Sequence, residues 1–307
     1  MKIMFMGTPD FAVPSLEALC TAHQVVCVVS QPDKPKGRGH NLQPTPTKII
    51  AEKHGIPVEQ PITLKDGVFS EILDKYQPEL IVAAAYGKIL PEYILNYPKY
   101  GCINVHGSLL PKYRGAAPIQ WAVLNGDAQS GVTIMHMAKE MDTGDMILQR
   151  VIDIGQTETS GQLFDRLSVL GAEALLEAIS QIQEGTAKRV PQDHSLASYA
   201  PMLQKQDAEI SFNMPADKFV HFVCGLNPWP IGKIFINGEQ VKVFEVMLGR
   251  ETNKACGTIC SITKSGIEVA CKNGTVILVS LQRPGKKPTD GYSFAQGLRL
   301  KEGDLLN

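Results

Sequence analysis

The sequence has no long hydrophobic run. Its 307 residues contain no stretch of ~18 apolar residues, the length that a membrane-spanning helix requires. The apolar stretch at the amino terminus is short and is broken by Gly7 and Pro9, which does not fit a secretory signal peptide. We therefore expect no membrane segment. The apolar share of 44% and the charged share of 20% are typical of a globular protein with a sizeable core.

The sequence also lacks the patterns in which cysteine binds metals or forms disulfides. There are seven cysteines, an odd number, and no Cys-x-x-Cys pair. The two closest, Cys256 and Cys260, have no cluster of histidines beside them. A zinc site or a disulfide framework is therefore disfavoured. We expect no metal, reduced thiols and a cytoplasmic location.

Charge of one sign is not in large excess. The net charge is −1, which argues against a general nucleic-acid-binding protein. The two parts of the chain differ, however, because residues 201–307 hold 13 Lys and Arg against 10 Asp and Glu, whereas residues 1–200 hold 17 against 21. The sign of this difference suits an auxiliary carboxyl-terminal domain near an anionic partner.

A dinucleotide-binding fingerprint is missing as well. The first glycine loop, Gly7-Thr8-Pro9-Asp10-Phe11, lacks the Gly-x-Gly-x-x-Gly spacing that lets a backbone approach a pyrophosphate closely. Binding of NAD(P) is therefore disfavoured.

The first half of the chain alternates strand and helix patterns. Strands are predicted over residues 2–6, 25–30, 79–85 and 132–137, and helices over 11–23, 116–124 and 159–184. The last helix is the clearest, because Thr159 and Gln162 form a capping-box pattern ahead of an apolar face. That face consists of Leu163, Leu167, Leu170, Ala174, Ala178 and Ile182. The alternation predicts an α/β domain with a doubly wound, mostly parallel sheet.

The pattern changes after Gly185. Residues 190–206 carry two prolines and no sustained period, which predicts a linker between a catalytic domain at 1–189 and a second domain at 207–307. In the second domain, Asn237-Gly238 and Asn273-Gly274 lie between short apolar strands, and Asn-Gly is the strongest short hairpin signal. We expect a small all-β barrel there, although the pattern alone does not distinguish a barrel from a sandwich.

Three polar residues form a candidate site. Asn104 and His106 follow a short strand pattern and are two residues apart, so their side chains point the same way. Open α/β sheets bind ligands at the carboxyl ends of their strands. An amide there can polarise a carbonyl, an imidazole can move a proton, and a carboxylate such as Asp142 can orient and charge the imidazole. The three residue types together suit acyl-type transfer.

This trio, together with the run Ser108-Leu109-Leu110-Pro111, resembles the folate-dependent formyltransferases. The resemblance implies that Asn104, His106 and Asp142 are catalytic. It implies that the pterin site is lined by Ser108, Leu109, Leu110 and Pro111. It also implies 10-formyltetrahydrofolate as the formyl donor, an amine as the acceptor, and a mechanism that needs no metal.

Further segments resemble the members of this family that act on methionyl-tRNA. They are the opening Met6–Ala12 and the stretch Lys112–Gln120, and the resemblance covers essentially the whole chain. It implies initiator methionyl-tRNA as the acceptor, held in part by an OB-type carboxyl-terminal barrel. It also implies tRNA contacts from Arg38 and Lys36, which lie in a basic loop between Pro32 and Thr47. A two-domain shape that grips one tRNA suggests a monomer.

The basic loop and three aromatic residues carry further expectations. The loop from Asp33 to Thr47 should be disordered in the free protein, because Gly and Pro interrupt it and Leu42 is its only large apolar residue. Phe235, Phe244 and Tyr292 are candidates for stacking on bases. We expect two of these three to lie in the barrel core.

Two other functions remain open from the sequence. The acceptor could be an amino-sugar nucleotide or a purine precursor, with the same chemistry. Alternatively, the chain could be an RNA-binding protein without catalytic activity, against which the intact trio argues. The group that deprotonates the attacking amine is also open, between His106, Asp142 and water.

Overall fold

The computed structural model describes residues 1–36, 41–65 and 67–306, with the backbone alone described at Lys36 and Asn41. The chain divides into two compact units. The first comprises Met1–Pro118, Ser130–Ile152 and Phe164–Pro201, and the second comprises Ile119–Gln129, Asp153–Leu163 and Met202–Asn307. These bounds differ from those predicted, because residues 190–201 belong to the first unit and two earlier segments belong to the second.

The part of the chain up to residue 201 alternates strands and helices. The strands are β1 (Lys2–Gly7), β2 (Gln24–Val29), β3 (Lys34–Lys36), β4 (Asn41–Gln43), β5 (Val58–Glu59), β6 (Leu80–Ala84), β7 (Cys102–His106), β8 (Arg114–Gly115), β9 (Gln129–His136), β10 (Met146–Asp153) and β11 (Tyr199–Ala200). The helices are α1 (Val13–Ala22), α2 (Pro46–Lys53), α3 (Ser70–Tyr76), α4 (Glu92–Leu95), α5 (Pro118–Leu124) and α6 (Ser160–Glu184). Short 3-10 helices lie at Asp10–Ala12 and His194–Leu196.

Seven of the described strands form one sheet in the order β10-β9-β7-β6-β1-β2-β5. The pairs from β5 to β7 are parallel, and β9 runs antiparallel to β7. All five residues of β6 are buried, as expected for a strand that helices cover on both faces. The predicted doubly wound, mostly parallel sheet is confirmed.

Helix α6 fixes which face of β7 is free for a site. Its capping box is present, since Thr159 N donates to Gln162 Oε1 at 2.9 Å and Gln162 N donates to Thr159 Oγ1 at 3.2 Å. A Cβ atom at Gly171 would lie 2.9 Å from the Val105 side chain, so α6 packs closely on β7 there. Because side chains alternate along a strand, Asn104 and His106 point to the opposite face.

The predicted disorder of the loop over residues 33–47 is wrong for the part that the structure describes. Strands β3 and β4 pair as an antiparallel hairpin, with Lys34 opposite Gln43. At its base, Lys48 Nζ lies 2.6 Å from Asp33 Oδ2 and 3.0 Å from Gln60 Oε1. Hydrogen bonds from Lys48 and Gln60 lower the pKa of the Asp33 carboxyl, which keeps this ion pair charged. The hairpin therefore has an anchored base.

The second unit contains a sheet of antiparallel strands, as predicted. Its strands are β12 (Lys233–Ile236), β13 (Glu239–Leu248), β14 (Ile259–Thr263), β15 (Gly266–Cys271), β16 (Gly274–Gln282) and β17 (Thr289–Asp290). They follow the order β12-β13-β16-β15-β14, with β17 paired to β16. Both predicted Asn-Gly hairpins are confirmed, and Asn237 and Gly238 have the positive φ values of 51° and 77° that a tight hairpin turn requires.

Helices that the hairpin pattern did not predict complete the second unit. They are α7 (Ala216–Gly225), α8 (Gly291–Leu298) and a 3-10 helix at Lys205–Ala208. Helix α7 buries Phe219, Val220 and Val223. A Cβ atom at Gly225 would lie 2.6 Å from the Leu124 side chain, so the end of α5 packs on the end of α7 within this unit.

Candidate active site

Asn104 and His106 lie on the last three residues of β7. Asn104 is paired with Met135 and His106 with Thr133 on β9. The His106 side chain is buried, with 5% of its surface exposed, whereas Asn104 is partly exposed. Within the described part of the chain, the Asn104 side chain makes no hydrogen bond, so both of its amide hydrogens are available to a ligand.

The imidazole of His106 is held in one orientation by a backbone carbonyl. Its Nε2 atom lies 2.9 Å from the carbonyl oxygen of Tyr113. A carbonyl oxygen can only accept, so Nε2 carries the proton and donates. The other ring nitrogen, Nδ1, lies 3.7 Å from Asp142 Oδ2, which is close enough for charge attraction but too long for a direct hydrogen bond. Nδ1 is therefore the imidazole nitrogen that can exchange a proton with a ligand.

Asp142 is placed by contacts to its carboxylate and to its backbone. Its Oδ2 atom accepts a hydrogen bond of 2.9 Å from the backbone N–H of Gly115. Its backbone adopts a left-handed conformation with φ of 55°, which is uncommon for a residue other than glycine and is held by surrounding contacts. Gly144 follows in the same loop, and a Cβ atom there would lie 1.8 Å from the carbonyl oxygen of His136 on β9. Only glycine permits this approach of the loop to the sheet.

The segment predicted as a linker holds the Asp142 loop and the loop after β7. Gln192 Nε2 donates to the carbonyl oxygens of Asp142 at 2.8 Å and Gly144 at 2.9 Å. Strand β11 pairs with β8. Ser198 Oγ accepts a hydrogen bond of 2.9 Å from the N–H of Tyr113, whose carbonyl orients His106. Gln192, Ser198 and β11 therefore support the site, and the segment that contains them is not a free connection between domains.

The Ser108–Pro111 loop is fixed by a buried hydroxyl on β9. Thr133 Oγ1 donates to the carbonyl of Ser108 at 2.7 Å and accepts from the N–H of Leu110 at 3.1 Å. Gln149 Nε2 donates to Thr133 Oγ1 and to the carbonyl of Leu110, each at 2.9 Å. Ser108 Oγ donates to the carbonyl of Lys112 at 2.7 Å.

The four residues of this loop are not equivalent. Ser108 and Leu110 are buried within the protein, whereas Leu109 and Pro111 keep partly exposed surface. Leu109 and Pro111 are thus the members of the predicted folate-binding set that have surface to offer a ligand.

The structure brings together only part of the predicted site. Asn104, His106 and Asp142 lie with Ser108–Pro111 at the carboxyl end of β7. Arg38 is outside the described residues, and Lys36 is on β3 with no side chain described. Sequence reasoning missed Gln192, Thr133 and the carbonyl of Tyr113, because a backbone carbonyl and polar residues distant in sequence leave no local signal.

Other features lie away from this site. A cavity of about 660 Å³ opens at the amino end of β7, where Gly101, Cys102 and His136 line it, and the trio does not contact it. Within the described residues, no group of His, Cys, Asp and Glu side chains is arranged to hold a metal ion. No helix in the same part of the chain is long and apolar enough to cross a membrane.

Family models match both parts of the chain. The model described as formyl transferase matches residues 1–179, and the model described as formyl transferase, C-terminal domain, matches residues 202–299. The chain belongs to the formyl transferase family. The trio and the Ser108–Pro111 loop lie within the first match, whereas Gln192 and β11 lie between the two matches.

Relatives of this formyl transferase match it from end to end. The methionyl-tRNA formyltransferase of Desulforamulus reducens is 45% identical over 309 residues, which cover all of this chain and 98% of that protein. The methionyl-tRNA formyltransferase of Citrifermentans bemidjiense is also 45% identical, over all of this chain and 96% of that protein.

Solved structures share the fold at lower identity. An N-formyltransferase from Helicobacter canadensis, in complex with folinic acid and dTDP-3-aminofucose, superposes with a TM-score of 0.69 at 20% identity, over 92% of this chain and 99% of that one. HypX from Aquifex aeolicus, in complex with tetrahydrofolic acid, gives a TM-score of 0.64 at 15% identity. This chain spans about half the length of HypX.

Proposed function

We propose that this protein transfers the formyl group of 10-formyltetrahydrofolate to the α-amino group of methionine on initiator methionyl-tRNA, for the initiation of translation. The observation that carries this proposal is the likeness of 42–45% identity to proteins named methionyl-tRNA formyltransferase, which extends over the whole chain. The acceptor is thus inferred from relatives that share both parts of the chain.

Asn104 is the donor to the oxyanion in this proposal. The neutral methionine amine attacks the formyl carbon of the folate, and the carbonyl oxygen becomes an oxyanion in the tetrahedral intermediate. The Asn104 amide supports this role because it has no hydrogen-bond partner within the described residues and borders the surface. An amide N–H that donates to this oxygen stabilises the charge that develops in the transition state.

His106 moves the proton. Attack by the amine leaves a positively charged nitrogen that must lose a proton, and the departing folate nitrogen must gain one. With Nε2 bound to the carbonyl of Tyr113, Nδ1 of neutral His106 is the imidazole atom that can accept the first proton. The resulting imidazolium is stabilised by Asp142 at 3.7 Å, and it can donate the proton to the folate nitrogen as the intermediate collapses.

The second unit has surface features that support an RNA acceptor. Phe235 is 38% exposed, Tyr292 is 40% exposed and Phe244 is partly buried. The expectation that two of these three lie in the core was wrong, since none of them is buried. Exposed aromatic rings stack on nucleic-acid bases, and the basic balance of residues 201–307 suits phosphates. We therefore assign tRNA binding to this unit and to the β3–β4 hairpin.

The proposal is tested by comparing acceptors. Formyl transfer from labelled 10-formyltetrahydrofolate is measured with methionyl initiator tRNA, with methionyl elongator tRNA and with a dTDP-linked amino sugar. The proposal expects rapid transfer to the initiator, slower transfer to the elongator and none to the sugar. Transfer to the amino sugar alone would identify a sugar formyltransferase, and turnover with none of the acceptors would contradict the proposed reaction.

A further inference from the structure

Gln192 uses every hydrogen-bonding position of its side chain. It is buried, with 5% of its surface exposed. Its Oε1 atom accepts from Arg114 Nε at 3.1 Å and from Arg114 Nη2 at 2.7 Å. Its Nε2 atom donates to the carbonyls of Asp142 and Gly144. A carboxamide has two acceptor and two donor positions, and all four are occupied here.

The chemistry of the partners fixes the orientation of this carboxamide. A guanidinium only donates and a carbonyl only accepts, so the oxygen must face Arg114 and the nitrogen must face the Asp142 loop. Arg114 is itself only 3% exposed, and its Nη2 atom also lies 2.9 Å from His194 Nδ1. A buried side chain that meets both requirements must be neutral, must present an oxygen and an NH₂ group, and must have the length of glutamine.

The contacts of Gln192 lie on the catalytic loops. Arg114 is flanked by Tyr113, whose carbonyl orients His106, and by Gly115, whose N–H binds the Asp142 carboxylate. The same carboxamide holds the backbone of Asp142 itself. Gln192 thus connects the segment that orients the imidazole with the segment that carries the carboxylate.

We propose that Gln192 is a positioning residue for catalysis, which holds the Asp142 carboxylate opposite Nδ1 of His106. This inference rests on the proposed formyl transfer for its kinetic readout, although the geometry that it describes exists without substrate. The role requires donation from Nε2, because two backbone carbonyls converge on that atom. A residue that only accepts hydrogen bonds would repel both carbonyls and would release the Asp142 loop.

The variant Gln192→Glu keeps the hydrogen-bond acceptor of the side chain and removes its donor. Its carboxylate can still accept from Arg114, but it cannot donate to the two loop carbonyls. We expect kcat for formyl transfer to fall by about 10- to 100-fold, because moving a catalytic group by only ~1 Å can lower the rate by that factor. The KM for the folate should not change, since Thr133 and Gln149 hold the Ser108–Pro111 loop independently. A kcat equal to that of the wild type would overturn the proposal.

The matched control is the neighbouring residue. Asp193 bonds within its own turn, to Ser195 N at 3.0 Å and to Ser195 Oγ at 2.6 Å, and makes no bond to the catalytic loops. Asp193→Asn should therefore leave kcat unchanged. If the Gln192→Glu variant does not fold, Gln192→Met keeps the length of the side chain, adds no charge and also cannot donate to the two loop carbonyls, so kcat should fall in this variant as well.

A double-mutant cycle distinguishes positioning from a general loss of structure. If Gln192 acts through Asp142, then Gln192→Glu should reduce kcat little further in an Asp142→Asn background. A purely structural role would instead reduce kcat by the same factor in both backgrounds, and that additive result would overturn the proposal.

The last readout needs no acceptor. NMR spectra of ¹⁵N-labelled histidine report the surroundings of the His106 ring in the free protein at one fixed pH. Gln192→Glu and Asp142→Asn should both change the ¹⁵N chemical shift of His106 Nδ1, because both alter the carboxylate that faces this atom at 3.7 Å, whereas Asp193→Asn should not. If the wild type fails to formylate methionyl-tRNA while this response is present, the proposed function fails and the positioning role stands. A His106 Nδ1 chemical shift that Gln192→Glu leaves unchanged would overturn the positioning role whatever the acceptor is.

Discussion

At the scale of single residues, Thr133 holds the loop that is assigned to the folate. Its hydroxyl bonds to the backbone of Ser108 and Leu110 and to the side chain of Gln149. Replacing Thr133 with Val keeps the shape of the side chain and removes these bonds. We expect the KM for 10-formyltetrahydrofolate to rise on the order of 10-fold, as when a hydrogen bond worth ~1.5 kcal/mol is lost. Steady-state kinetics with the folate as the varied substrate measure this change.

A second buried hydroxyl serves as the control for Thr133. Ser168 is also buried, but among the described residues its Oγ bonds only to the carbonyl of Asp165 within α6. Ser168→Ala should leave the KM for the folate unchanged. An unchanged KM in Thr133→Val, with the protein folded, would remove the Ser108–Pro111 loop from the folate site.

Single residues were predictable where their chemistry is distinctive. Asn104, His106 and Asp142 combine an amide, an imidazole and a carboxylate, and the placement of Asn104 and His106 at the end of β7 follows from strand alternation and sheet architecture. Gln192 was not predictable, because its role arises from a fold that brings position 192 next to position 142. The same holds for the carbonyl of Tyr113. Every residue has a backbone carbonyl, and only the fold determines which one faces His106.

At the scale of elements, the β3–β4 hairpin is the part of the first unit assigned to tRNA. Arg38 lies outside the described residues, and in the sequence it falls between β3 and β4. A guanidinium can bridge two phosphate oxygens, which an ammonium cannot. Arg38→Ala should therefore lower the rate of tRNA formylation more than Lys34→Ala does. The measurement is kcat/KM for charged tRNA, together with folate affinity, which neither substitution should change.

The anchored base of the hairpin provides an independent check. Trypsin should cut the free protein at Lys36 or Arg38 faster in a Lys48→Met variant, because the contacts of Lys48 with Asp33 and Gln60 are lost. Bound initiator tRNA should slow cleavage of the wild type. Cleavage at the same rate with saturating tRNA would show that the hairpin does not contact the acceptor.

Elements were predicted correctly where an apolar periodicity extends over many residues or where the turn residues are distinctive. Helix α6 and the two Asn-Gly hairpins belong to this class. The hairpin over β3 and β4 was missed because its strands are three residues long and largely polar. Strand β11 was missed for a similar reason, since it has two residues and its pairing with β8 spans more than eighty positions of sequence.

At the scale of the whole molecule, the two units are not consecutive in the chain. Residues 119–129 and 153–163 belong to the second unit, although they lie within the predicted catalytic domain. A fragment ending at Pro201 keeps Gln192 and β11 but leaves Leu124 without its partner Gly225. We expect this fragment to bind the folate. We also expect it to unfold at a lower Tm than the full chain. A fragment ending at Arg189 should lose folate binding, because Ser198 and β11 no longer hold the loop after β7.

Calorimetry with the folate and thermal unfolding compare the two fragments with the full chain. If the fragment ending at Arg189 binds the folate as tightly as the full chain does, residues 190–201 do not support the site. The sequence could not indicate that segments of the two units alternate along the chain. The composition of a linker shows where helix and strand periodicity ends, but it does not show in which unit a segment packs.

The most direct test of the account is single-turnover formyl transfer to methionyl initiator tRNA by the full chain and by Asn104→Ala, His106→Ala and Asp142→Ala. The account predicts that each substitution slows transfer by a factor on the order of 10²–10⁴, the range for losing an oxyanion donor or an acid–base group, while the Tm and folate affinity are kept. Transfer at close to the wild-type rate by any of the three folded variants would contradict the role assigned to that residue. Transfer at the wild-type rate by all three would contradict the site.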